Sequence, residues 1–257
     1  MKHSKFPLIL TIIILTFIWA PIIILVANSF NASRFGTVWG GFTLQWYERL
    51  FADRNVWRSL ENTLIVTGVS TVVSLVLGSL AGFALHRYKT KIQKVHMGII
   101  SIPLVIPDIL MGMSLLLFFV SIGMPLSIVT IILGHITFCI SFVAITILAR
   151  LQDFDYKIVE AAKDLGAHGW TLFRKIYIPL LAPGLLAGAM LSITLSLDDF
   201  IVTFFTAGPG ASTLTIHIYS MIRFGTPPVI NALSTIFLML TFLLALIYQR
   251  ISRRKLN

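Results

Sequence analysis

Three carboxylates, Asp108, Asp198 and Asp199, sit in stretches that are otherwise apolar and that hold no Lys or Arg to pair with them. Ionisable groups at membrane depth are costly, so an unpartnered carboxylate there is a binding-site hypothesis from the outset. The chemistry such groups offer is recognition of a cation, whose desolvation demands fixed negative charge or the face of an aromatic ring. Pro103 and Pro107 precede Asp108, so the helix is expected to break there, as happens where backbone lines a cavity. The plainer alternative is that Asp108 caps the helix restarting after Pro107. Asp198 and Asp199 are neighbours, about 100° apart on a helix, and cannot both face one pathway. One is free to hydrogen-bond a neighbouring span, and Asp198 is the preferred pathway residue. Trp46 and Tyr47 could gate the outer mouth, although an interfacial anchor suits them better.

Other chemistries find no footing. His135 and Cys139 share one helical face but lack a third ligand, so they read as polar packing residues and no metal is expected. There is no G-x-x-x-x-G-K-[ST], HExxH or G-x-S-x-G stretch and no cysteine pair. The chain therefore has no phosphate-cradling loop, zincin site or nucleophile elbow of its own.

A second constellation is polar rather than buried. "EAAKDLGAHGWTLFRKIYIP", residues 160–179, is a mixed-charge island between two apolar runs. Glu160, Ala161 and Ala162 favour a helix with small side chains that allow close approach to another surface. Gly166 supplies the left-handed residue that ends a helix after Leu165. A second helical pattern runs from His168 to Ile178, with Trp170, Phe173, Ile176 and Tyr177 on one broad apolar stripe. Pro179 is expected to stop it. The island thus predicts a helix–turn–helix elbow along the membrane face, with one side open to a partner.

The elements that must position these groups are membrane helices. The chain has 257 residues, 57% hydrophobic and 12% charged, where a soluble domain carries about 25% charge. Mean hydropathy is +0.91. Six stretches could each span a bilayer, at about 8–28, 62–85, 97–120, 127–149, 181–205 and 231–249, since a spanning helix needs about 20 mostly apolar residues. The first is read as an uncleaved span, because its apolar run continues past Trp19 and Ala20 to Pro21. Placing the N-terminus in the cytoplasm puts fifteen of the twenty Lys and Arg on that side, including Lys2, Lys5, Arg87, Lys89, Lys91 and Lys94. Arg34, Arg49, Arg54, Arg58 and Arg223 fall outside. The positive-inside rule then fixes both termini and residues 150–180 as cytoplasmic. It also accounts for the formal charge of +10 without a nucleic-acid partner. The outer loop, about 30–60, holds "TLQWYERLF", which suits an interfacial helix. Counting about 1.5 Å per residue, Asp108 and Asp198 both lie roughly 20–25 Å above the cytoplasmic helix ends.

The island resembles the EAA loop of membrane subunits of ABC importers, with Glu160, Ala161, Ala162, Gly166, Ile176 and Pro179 in register and Ile178 where a Leu is usual. The stretches "LSLDDFIVTFFTAGPG" (195–210), "IYSMIRFGTPPVINALSTI" (218–236), "FNASRFG" (30–36) and "GHITFCISFV" (134–143) resemble the permeases of spermidine/putrescine importers over almost the whole chain. The resemblance implies an all-α integral membrane protein of the type I ABC importer permease fold, with residues 1–257 as one permease domain in a bacterial inner membrane. It implies that the elbow docks on a separate ATP-hydrolysing subunit, so that ATP and Mg belong to that subunit and this chain holds no cofactor. The partners implied are a second permease chain, a pair of ATPase subunits and an extracytoplasmic polyamine-binding protein. An ABC permease for a different solute remains open on these stretches. An ion-coupled secondary transporter acting alone is the competing class, but no internal repeat is detectable and it leaves the elbow unexplained.

Overall fold

The computed structural model describes residues 5–34, 38–88, 92–152, 155–225 and 227–254. The charges at Lys2, Lys89, Lys91 and Lys255, and Phe35 and Gly36 of the outer loop, lie outside the described residues. The secondary structure described is helical apart from one bridge, Asn31 to Phe42. In chain order the helices are α1 Phe6–Ser29, α2 Gln45–Ala52, α3 Arg54–Arg87, α4 Gln93–Val105, α5 Asp108–Ser121, α6 Ile128–Gln152, α7 Tyr156–Asp164 and α8 Gly169–Leu172. A π-helical segment, Phe173–Tyr177, leads into α9 Ile178–Asp198, followed by α10 Ile201–Thr206, α11 Leu214–Phe224 and α12 Pro227–Arg254.

The chain divides into two compact units, one of Met1–Trp57 with His217–Asn257, the other Arg58–Ile216. In the first, α1 packs along α12, and α12 against α2. α1 is apolar on every side and almost wholly exposed, as a helix facing lipid should be. The loop between α1 and α2 is tied down by Asn31, whose side-chain oxygen accepts from Ser33 N at 3.0 Å and Gly40 N at 2.8 Å. α2 forms where the sequence predicts a short helix and buries Trp46 and Leu50.

In the second unit α6 is the central helix, packed by α4, α9 and α10. Val143, Ile147 and Leu151 of α6 join Leu181 in one core cluster; Phe138 and Cys139 join Met111 and Val202 in another. Lipid tails are as apolar as leucine, so helices in a membrane associate through close backbone approach at small residues. α3 meets α6 in this way. A β-carbon on Gly82 would stand 2.6 Å from the Ala144 carbonyl, and one on Gly78 2.8 Å from that of Ile140.

Among the described residues, four helical stretches are long and apolar enough to cross a membrane: Phe6–Ser29, Arg54–Arg87, Ile128–Gln152 and Gly169–Asp198. The stretch expected as a single span over 97–120 is a pair, α4 and α5, bent by 107° at Ile106–Pro107; counting it gives five. The apolar part described within α12, Pro228–Leu243, is shorter, so six full spans exceed what these helices establish. Two further expectations are corrected. The helix expected over 181–205 ends at Asp198, because Asp199 is extended (φ −63°, ψ 127°) and the chain restarts as α10. Pro179 does not stop a helix: Gly169–Asp198 runs through it without a break. Proline in an α-helix removes one hydrogen bond and crowds the carbonyl four residues back. The wider π turn at Phe173–Tyr177, immediately before it, gives that carbonyl room.

Candidate functional site

The bend at Pro107 and the interruption at Asp199 bring the acids together. Asp108, Asp198 and Asp199 line one cavity of about 540 Å³ with Phe138, Phe142 and Phe200. Asp108 is the first residue of α5, where the amides of Leu110 and Met111 bond to the Pro107 carbonyl instead. Its carboxylate is exposed and makes no hydrogen bond or ion pair among the described residues. A capping role through the side chain is therefore not realised. Asp198 is equally exposed and free of side-chain partners among the described residues.

Asp199 is different. Its carboxylate accepts from Val202 N at 3.2 Å, Thr203 N at 2.8 Å and the Thr203 hydroxyl at 2.7 Å, so it caps the start of α10. His135 Nε2 lies 3.2 Å from the same carboxylate and 2.9 Å from Thr203 Oγ1, with the His135 side chain 1% exposed and that of Asp199 10%. His135 Nδ1 meets Ser196 Oγ at 2.8 Å, and Ser196 donates onward to Thr67 on α3 at 3.1 Å. Sequence reading missed His135 as the partner of Asp199. It is neither Lys nor Arg, and it lies on another helix, so no spacing rule links the two. Cys139 turns its Sγ to the Ser192 carbonyl at 3.8 Å, and no cluster of three metal-ligating side chains occurs among the described residues.

Trp46 and Tyr47 belong to the first unit and are committed there. Trp46 is buried, donates from Nε1 to the Asn31 carbonyl at 2.7 Å, and carries Arg49 over its ring at 4.9 Å. The Tyr47 hydroxyl pairs with Ser29 Oγ at 2.7 Å. Both rings staple α2 to the end of α1.

The elbow is built as its residues dictate. Asp155 caps α7 by accepting from Lys157 N at 3.0 Å. α7 ends at Leu165 with Gly166 at φ +85°, the Gly166 amide bonding Lys163 O and the Ala167 amide bonding Ala162 O, both at 2.9 Å. That is a Schellman closure, which only glycine enters without strain. Glu160, Ala161, Gly166 and Pro179 are exposed, while Ala162 and Ile176 are half-buried. The apolar stripe is rearranged. Leu172 is its buried member, Tyr177 packs edge-on against Phe83 at 5.6 Å, and Trp170 and Phe173 face outward against each other at 5.3 Å. Leu165 is also exposed, at 90%. Burial pushes the Tyr156 phenol above its ordinary value; nearby Tyr177 adds to this and Arg87 opposes it.

Comparison with known proteins places this arrangement. A family model described as "Binding-protein-dependent transport system inner membrane component" matches residues 74–257. The spermidine/putrescine transport system permease protein PotC of Escherichia coli (strain K12) is 41% identical over 242 residues, covering 94% of this chain and 92% of that protein. The putrescine transport system permease protein PotI of the same organism is 38% identical over 243 residues, 92% of this chain and 86% of that one. Among solved structures, a bacterial ABC transporter importing the acidic polysaccharide alginate superposes with a TM-score of 0.74 at 18% identity, covering 97% of this chain and 98% of that one. The MetNI methionine ABC transporter gives 0.60 at 21%, covering 80% and 96%.

Proposed function

The chain belongs to the family of inner membrane components of binding-protein-dependent transport systems, and from that premise we propose that it is the translocating subunit of an ATP-driven polyamine importer. It works with a second permease chain, a pair of ATPase subunits and an extracytoplasmic binding protein. ATP and Mg are bound by the ATPase alone. Six spans put both termini and the elbow in the cytoplasm, and residues 1–257 act as one permease domain. Glu160, Ala161, Ala162, Gly166, Ile176 and Pro179 form the contact through which ATPase closure reaches the membrane helices. Asp108 and Asp198 line the solute path, with Asp199 bracing it from the side; Trp46 and Tyr47 shape the outer loop.

One observation supports the polyamine reading above others: two exposed carboxylates, without hydrogen-bond or ion-pair partners among the described residues, share a cavity with Phe138, Phe142 and Phe200. A polyamine is a flexible chain of ammonium groups and methylenes. Carboxylates replace the water lost from each ammonium, and ring faces accept both the cations and the chain between them. The experiment is solute-stimulated ATP hydrolysis and uptake by the assembled complex in liposomes, over spermidine, putrescine, neutral sugars and anionic amino acids. Stimulation and uptake with the polyamines alone are expected. Equal stimulation by a neutral or anionic solute would remove the polyamine assignment, and uptake by this chain without an ATPase would remove the ABC one.

A further inference from the structure

We infer that His135 is a positioning residue for the solute path: it acts through Asp199 to fix the interruption between α9 and α10, and so keeps Asp198 facing the cavity. This rests on the permease reading above.

His135 lies on α6, is 1% exposed, and its ring leans on Phe138 at 5.3 Å. A buried histidine in a helix bundle is most simply a packing residue with a single polar partner. Here both nitrogens are used, and their partners come from either side of one break in the chain. Nδ1 holds Ser196, within the last turn of α9; Nε2 holds Asp199 and Thr203, in the gap and in the first turn of α10. The single hydroxyl proton of Thr203 goes to Asp199 Oδ2, and a carboxylate has none to give. Nε2 must therefore carry the hydrogen between the imidazole and this pair. The main chain of the gap is held too, since Thr215 Oγ1 donates to the Asp199 carbonyl at 2.9 Å.

The consequence reaches Asp198. The residues that follow, Phe200–Phe205, are apolar apart from Thr203 and would extend a spanning helix. The interruption exists because Asp199 turns its carboxylate onto the amides of Val202 and Thr203 instead of letting α9 continue. Removing the imidazole takes away the partner that holds that carboxylate from α6, leaving only its bonds to α10, and removes the tie from Ser196. A continuous helix would close the gap at which Asp198, the last residue of α9, meets the cavity.

The test uses the whole transporter in liposomes and reads the solute concentration for half-maximal uptake, the maximal rate and the recovery of assembled complex. His135→Leu removes both contacts. His135→Gln can return a donor near Nε2, and His135→Asn can reach only Ser196. The expected result is a half-saturation concentration raised about tenfold or more in His135→Leu, with recovery near that of the wild type. His135→Gln should restore it to within about threefold, and His135→Asn should not. His135→Leu combined with Asp199→Asn should be no worse than the more damaged single variant, because coupled residues are not additive. A wild-type half-saturation in His135→Leu, identical behaviour of Gln and Asn, or additive losses in the double variant would overturn the inference. If His135→Leu fails to assemble, the contrast between Gln and Asn decides alone. Each value is a ratio to the wild type with whichever solute it carries. A wild type that moves some other cation therefore overturns the polyamine reading and leaves this comparison intact.

Discussion

At the scale of single residues, the acids differ in what surrounds them, and that difference predicts their variants. Asp108 and Asp198 have no hydrogen-bond or ion-pair partner among the described residues, so replacing either with Asn removes a charge without breaking a bond. Uptake by Asp108→Asn and Asp198→Asn should fall about tenfold or more while the complex is recovered in normal amounts; radiolabelled uptake beside subunit stoichiometry checks both. Asp199 accepts three hydrogen bonds around α10 besides facing His135. Asp199→Ala should instead lower the thermal stability of the purified complex, by about 1–3 kcal/mol for the amides left without an acceptor, and more than Asp198→Ala does. The acids themselves were legible in the sequence, because a charge in an apolar run stands out against its neighbours. Their inequality was not. It depends on His135 and Thr215, which reach Asp199 only after the chain has folded.

At the scale of elements, Gly166 carries a left-handed turn that a leucine enters only at a cost of roughly 1–2 kcal/mol. Gly166→Leu and the charge reversal Glu160→Lys should each abolish ATP-driven uptake while the chain still reaches the membrane, with co-purified ATPase as the direct measurement. Full transport in both variants would reduce the elbow to a connector. Gly82→Leu acts elsewhere: with 2.6 Å between its β-carbon and the Ala144 carbonyl, α3 must lift off α6, and folded yield in detergent should drop sharply. Local rules served these elements unevenly. The elbow's first helix and its glycine were readable from residue types, and Pro103 and Pro107 announced a break. The same rule misjudged Pro179, because the clash it describes belongs to α geometry and a π turn relieves it. The end of α9 was hidden for another reason. Hydropathy continues to Phe205, and only the turn of the Asp199 side chain onto the amides beyond it stops the helix.

At the scale of the whole molecule, the uneven distribution of Lys and Arg predicts an orientation that reporter fusions can check. Fusions after Lys94, within 150–180 and after Asn257 should score cytoplasmic, and those near Asp53, Ser121 and Pro209 should score outside. A cytoplasmic signal at Ser121 would break the six-span topology and leave the bent α4–α5 pair as a re-entrant loop. The class of the molecule was plain from composition alone, whereas the number of crossings was not, since a bend of 107° leaves no trace in an average over apolar residues. The helix that ignores Pro179 has a mechanical side. From Gly169 at the elbow to Asp198 at the cavity it is one rod of 30 residues, about 45 Å long at 1.5 Å per residue. Pivoted at its base, such a rod turns a tilt of about 5° into a sweep of about 4 Å at its tip. Asp198 is thus the far end of a lever whose base is the elbow.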